Sequence, residues 1–169
     1  MPPLMFMGEE WGSTQPFPFF CDFHGALADA VRKGRREEFK AAAAYAELRE
    51  EVRDPLEEAT FRSAVLDWDA RTTPEGRKRL ALVRDLLMVR RREIVPQLAG
   101  AKFVGARCDE SILTANWSLA GGQTLRVLAN LSNDGAEPPR NFRPFRPIWG
   151  GDPPVRLPPW SVFWSIGEG

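Results

Sequence analysis

Residues 4–12 read LMFMGEEWG. Leu4 to Met7 has strand length and is apolar on both alternating faces. That pattern suits a parallel strand covered on both sides, as in an α/β sheet or barrel. Gly8 stops the run, and Glu9, Glu10 and Trp11 follow at once. In an α/β barrel the residues just past the C-terminal end of a strand are where site residues sit. Two adjacent acids on an extended segment point to opposite sides, so at most one faces a ligand. This short stretch therefore fixes the expected fold class, and it needs sheet partners on both flanks.

Residues 12–23, GSTQPFPFFCDF, hold two prolines and four phenylalanines. Pro16 and Pro18 lack the N–H that a ladder or helix needs, so a loop is expected. Trp11, Phe17, Phe19 and Phe20 form either an apolar platform for ring-shaped ligands or a pad that packs the loop against its own rim. Asp22 is placed to cap a following helix with Leu27, Ala30 and Val31 as its stripe. Gly34 and the basic pair Arg35-Arg36 are expected to interrupt it, and a second helical stretch runs from about Arg36 to Val52. Asp54-Pro55 breaks that stretch. The connector through residue 73 reads as mostly irregular, with one short turn. Thr72 or Thr73, Pro74 and Glu75 make a helix start. The pattern is then helical to about Glu93, with Leu80, Val83, Leu87 and Ile94 on one face. Arg90-Arg91-Arg92 falls in the last turns, where cations favour a helix C-terminus, and reads as a solvated end.

After Pro96 and Gly100 the character changes. Ile112–Leu119 and Gln123–Leu131 read as strands joined across Ala120-Gly121-Gly122 as a hairpin. The proline- and glycine-dense stretch 139–160 has room only for short edge strands. Trp160, Val162, Trp164 and Ile166 alternate onto one face of a closing strand, and Trp117, Trp160 and Trp164 are expected to supply a core. Residues 101–169 are expected to form a small antiparallel β domain after a region spanning 1–100.

Lys plus Arg and Asp plus Glu are equal at 23 each, which gives no net attraction for phosphate and disfavours nucleic acid as a main partner. Apolar residues at 43% and charged ones at 27% are ordinary globular values. Cys21 and Cys108 have no CxxC or Cys/His spacing, so two reduced cytosolic thiols are expected and no zinc site. Neither a metal nor an organic cofactor is indicated, and nothing resembles a signal peptide or membrane span. The sole histidine, His24, stands beside Asp22 with no GxSxG elbow to complete a triad. No P-loop, GxGxxG or HExxH is present.

The combination LMFMGEEWGSTQPFPFFCDF, GRREEF, DPLEEATFRSAVLDW and RRREIVP resembles the maltooligosyltrehalose trehalohydrolases, a branch of the α-amylase superfamily of retaining glycoside hydrolases. GEEWG alone is shared by several amylase relatives. The companion motifs narrow the resemblance, which covers roughly residues 2–96. The C-terminal half contains no diagnostic motif. The resemblance implies an α+β fragment: strand eight, a cleft loop and helices of a (β/α)8 barrel in residues 1–100, then a C-terminal antiparallel β-sandwich domain in residues 101–169. It implies hydrolysis of the α-1,4 bond next to a terminal trehalose on a maltooligosyl chain, in the cytoplasm, with retention of configuration. The nucleophilic Asp, the general-acid Glu and the third Asp of that family belong to strands outside this stretch. The chain alone would then be inactive and would complete its barrel with an N-terminal portion. Glu9, Trp11, Phe19, Phe20 and Asp22 are the candidate substrate-binding residues. Two alternatives stand beside this reading: another amylase-type or glucan-branching enzyme fragment, and a non-catalytic carbohydrate-binding or interaction module.

Overall fold

The computed structural model describes residues 3–46 and 53–168, with side chains omitted for 41–46. The chain divides into two compact units, 1–83 and 84–169. In the first, Glu9–Trp11 is a single 3-10 turn, followed by helix α1 (Gly25–Ala46), helix α2 (Glu58–Ser63) and a second 3-10 turn at Asp69–Thr72. Helix α3 (Pro74–Val89) leads on to a π turn at Arg90–Ile94 and a 3-10 turn at Val95–Gln97. Five strands follow: β1 (Lys102–Asp109), β2 (Ile112–Ser118), β3 (Gln123–Asn130), β4 (Arg146–Trp149) and β5 (Ser161–Glu168). No helix of the described residues is long and apolar enough to cross a membrane.

Residues 4–6 form no strand, because a strand exists only through a neighbour and none among the described residues pairs with them. Their apolar side chains are correspondingly open, with Leu4 97% exposed. Gly8 then turns the chain in the left-handed region (φ 88°), and a Cβ there would lie 2.6 Å from that of Ser13.

Helix α1 is continuous through Gly34, contrary to the expected interruption. A single helical glycine costs only about 1 kcal/mol relative to alanine. The Arg35–Glu38 ion pair at 2.6 Å and the Ala-rich turns beyond offset it. The far end of the expected second helix, residues 47–52, lies outside the described residues. The connector is more ordered than expected, since α2 and the turn at Asp69–Thr72 occupy it.

Helix α3 starts as its sequence dictates. The hydroxyl of Thr73 accepts from the Gly76 amide at 3.0 Å and Pro74 takes the first position. Gly76 is required there, since a Cβ would come within 2.0 Å of the Ala70 carbonyl oxygen. The α-helix stops at Val89 because Pro96 has no N–H and its ring crowds the carbonyl four residues back. The chain relaxes into the wider π turn.

The strands make one antiparallel sheet in the order β1-β2-β3-β5-β4. The β2–β3 hairpin pairs Ile112 with Asn130 through Ser118 with Thr124, as its alternation predicts. The expected sandwich is not formed among the described residues, whose strands do not divide into two facing sheets. On one face Ile112, Leu128 and Phe163 are instead covered by Leu157, Ala136 and Phe142 from the irregular stretch between β3 and β5. That stretch is too proline-rich to build a second ladder. Its one four-residue strand, β4, carries Pro147 and sits at the sheet edge. Asn130 pins this cover from within. Its buried amide donates to the carbonyls of Asp134 (2.7 Å) and Pro158 (3.0 Å), and its oxygen accepts from Ser132 (2.8 Å). On the opposite face Leu119, Leu125 and Ile166 pack with Trp117, Trp164, Ile148 and Ile94. Trp160 takes no part in that core. Its φ of 51° places it before the strand, and its indole donates to Asn133 at 2.8 Å. Within this unit Glu93 joins the π turn to the sheet edge through Arg146 at 2.7 Å. Hydrogen bonds from Arg146 and then Arg92 hold its carboxyl below the usual range.

Candidate functional site

The proline-stiffened loop 12–23 is held at one decisive point. The Cys21 amide donates to the Pro55 carbonyl at 2.9 Å, which lays residues 20–22 along the 55–61 corner. That corner is organised by Asp54. One carboxylate oxygen accepts from the Leu56 amide at 3.0 Å and the other from Arg32 Nε on α1 at 2.8 Å. The Asp54 carbonyl accepts from the hydroxyl of the buried Thr60 at 2.6 Å. The Leu56 amide and then Arg32 hold the Asp54 carboxyl below its ordinary value, and hydrogen bonding to Asp54 raises Arg32 in turn. A charged residue thus fixes where α2 begins and where Phe61 is presented.

Between the loop and the corner lies an open groove of about 630 Å3. Phe20, Pro55, Leu56 and Phe61 supply apolar surface to it, and Asp22, Glu57 and Glu58 supply carboxylates. Phe20 meets Phe61 edge-to-face at 5.3 Å, and the aromatic row continues through Phe17 (6.0 Å) to Phe6 (4.9 Å from Phe17). Glu58 is already engaged by Arg62. Such a lining suits a polyhydroxylated ligand, with a ring face on the phenylalanines and hydroxyls donating to Asp22 or Glu57.

The five sequence-derived candidates do not converge. Phe20 and Asp22 line the groove together. Phe19 points elsewhere, its ring beneath the Arg35 guanidinium at 5.3 Å. Trp11 is buried at 7% exposure, stacked at a tilt on Trp68 at 5.1 Å. Its Nε1–H has no acceptor among the described residues, so Trp11 is a packing residue with an orphaned donor. Glu9 folds back to accept from the Phe6 amide at 3.0 Å, and Glu10 does the same for Gly8. The two acids sit on a 3-10 turn rather than an extended segment, so the argument that they diverge does not apply; each closes its own turn. Asp22 does not cap α1, which begins at Gly25 and leaves His24 in the flanking position. The Asp22 carboxylate lies 3.9 Å from His24 Nδ1. Phe61 and Glu57 were not identifiable in advance, because only the long-range Cys21–Pro55 bond brings them to the loop. Among the described residues no group of three or more His, Cys, Asp or Glu is arranged to hold a metal, and the two cysteines are free.

Residues 100–164 match the model of a domain of unknown function, DUF3459. The chain is 42% identical over 134 residues to a malto-oligosyltrehalose trehalohydrolase of Deinococcus radiodurans, covering 79% of this chain and 22% of that protein. It is 31% identical over 134 residues to a protein of the same name from Brevibacterium helvolum, covering 78% and 21%. A crystal structure of a protein assigned as an alpha amylase from Salmonella typhimurium superposes with a TM-score of 0.80 at 32% identity, over 96% of this chain and 27% of that one. The chain thus spans about a fifth of the length of the curated relatives it matches.

Proposed function

We propose that this chain, which is similar to malto-oligosyltrehalose trehalohydrolases over most of its length, forms the C-terminal part of a trehalose-releasing glycoside hydrolase. The bond cleaved is the α-1,4 linkage next to the terminal trehalose of maltooligosyltrehalose. The catalytic acids reside in the barrel portion that this chain does not contain, and the reaction takes place in the cytoplasm. The division of labour falls near residue 100, with the last barrel elements before it and the β domain after it. The identity to the Deinococcus protein across 79% of the chain carries this reading. The likeness to the Salmonella structure also supports a second reading, an amylase-type enzyme of different bond preference.

Within the longer enzyme the Phe20–Phe61 groove binds part of the maltooligosaccharide. The rings face the apolar side of a sugar, and Asp22 accepts from a hydroxyl. The test uses the full-length enzyme and measures trehalose release together with thermal unfolding. Phe20→Ala is expected to lower kcat/KM by roughly fivefold to tenfold, and Asp22→Asn by more, since a hydrogen bond to a charged acceptor is the stronger contact. Melting temperature should stay within a few degrees. Purified residues 1–169 should release no trehalose. Variants that lose only stability would reduce the groove to rim packing, and release by the isolated chain would overturn the fragment assignment.

A further inference from the structure

The sheet face that carries the Leu128 core is divided. Toward the β3 C-terminus it is roofed by Leu157, Ala136 and Phe142. Toward the β1 edge it opens into a groove of about 400 Å3, lined by residues of the β domain alone. Arg107 on β1, Arg126 on β3 and Arg140 from the covering loop all line it, and Asp109 is the only carboxylate that does. Register places Arg107 opposite Thr114 and Arg126 opposite Asn116, so the two arginines flank β2 from either side, on the same face.

Arg126 is fixed before any ligand arrives. Its Nε donates to Asn116 at 2.8 Å and its Nη1 to the Arg143 carbonyl at 2.5 Å. The guanidinium plane lies over Phe145 at 4.3 Å and Phe142 at 5.7 Å. Two of its five N–H donors are thereby used. Arg107 and Arg140 make no side-chain hydrogen bond or ion pair among the described residues, whereas Arg146 of the same unit is bound to Glu93. Three guanidinia around one carboxylate leave an excess of positive charge and of fork-shaped donors. A neutral glycan does not require that excess.

We propose that this groove is a binding site for a small doubly charged oxyanion, a phosphate group that is either free or carried on a sugar. Arg126 is the preorganised anchor, and Arg107 and Arg140 close on the oxygens from either side. Asp109 weakens the site and sets an upper limit on its affinity.

Calorimetric titration of the full chain with inorganic phosphate, glucose 6-phosphate and maltotriose tests this. Saturable phosphate binding is expected, with Kd on the order of a millimolar or tighter, weakened by added salt. The paired substitution Arg107→Gln with Arg140→Gln should weaken it by about tenfold, the loss of charge-assisted contacts. Asp109→Asn should strengthen it by about twofold to threefold, by removing a like charge. That opposite change cannot arise from misfolding, and both arginines are exposed. Tighter binding of glucose 6-phosphate than of phosphate identifies the esterified form as the ligand, and equal binding identifies phosphate alone. Absence of saturable phosphate binding, binding indifferent to the arginine pair, weakening by Asp109→Asn, or maltotriose binding lost with the same arginines overturns the proposal.

Discussion

The β domain and the loop-bearing first unit spend their apolar residues differently. In the β domain Leu128 and Leu157 are 0% exposed, and Asn130 satisfies its buried amide from three sides. In the first unit Phe6, Phe17 and Phe19 lie close to half exposed and Leu4 almost wholly so. The amides of Phe17, Phe19 and Phe20 make no backbone hydrogen bond among the described residues. The difference follows from topology. Sheet residues 102–168 find their partners close in sequence, the widest pair being Gln123 with Glu168, and ordering them is repaid locally. The run Leu4–Met7 has the composition of a buried strand but, among the described residues, no sheet neighbour to bury it. Exposed apolar surface of this extent is what an interaction surface looks like, in keeping with the proposed barrel portion as its partner.

The largest expected effect separates the two regions by cavity formation. Leu128→Ala removes a fully buried side chain between Ile112 and Phe163 and should cost about 2–5 kcal/mol. Phe6→Ala removes a ring that is already half in water and should cost below about 1 kcal/mol. Urea unfolding of both variants measures the gap. Comparable losses would show that the first unit is packed as tightly as the sheet.

A smaller effect concerns acid. Asp54 in the first unit and Glu93 in the second each have a folded-state carboxyl held below the unfolded value. Their contribution is fully present above the unfolded values, about 3.9 for Asp and 4.3 for Glu, and is lost as pH falls through the lower folded values. Arg146→Ala should therefore lower the melting temperature slightly near neutral pH, and the difference from wild type should shrink once pH drops below about 4. Arg32→Ala should act likewise on the first unit through Asp54. A difference that grows on acidification would reverse the assigned sign for that pair.

Much of the β domain is legible in its sequence, because period-two alternation and the Gly121-Gly122 turn specify the β2–β3 hairpin without help from distant residues. Strand β1 is not, since Gly105 and the charges of Arg107 and Asp109 break its apolar pattern. It holds as an edge strand whose register shifts between Phe103 and Gly105. Trp160 misleads because its alternation with Val162 is real in sequence while its backbone is left-handed. The candidate site is legible only where it is local. Phe20 and Asp22 stand out in a proline-stiffened aromatic run, but Phe61 and Glu57 enter through a single backbone bond between residues 21 and 55. The sequence motifs that carry the family resemblance lie before residue 97. The domain model matches residues 100–164, where no motif stands out, so the two lines of recognition rest on different halves of the chain.

Amide hydrogen exchange on the full chain measures the central contrast most directly. The account predicts the slowest exchange at β2, β3 and β5, near the global unfolding limit, with Phe17, Phe19 and Phe20 exchanging almost as in a free peptide. Protection of residues 15–20 equal to that of Leu125–Ala129 would contradict it.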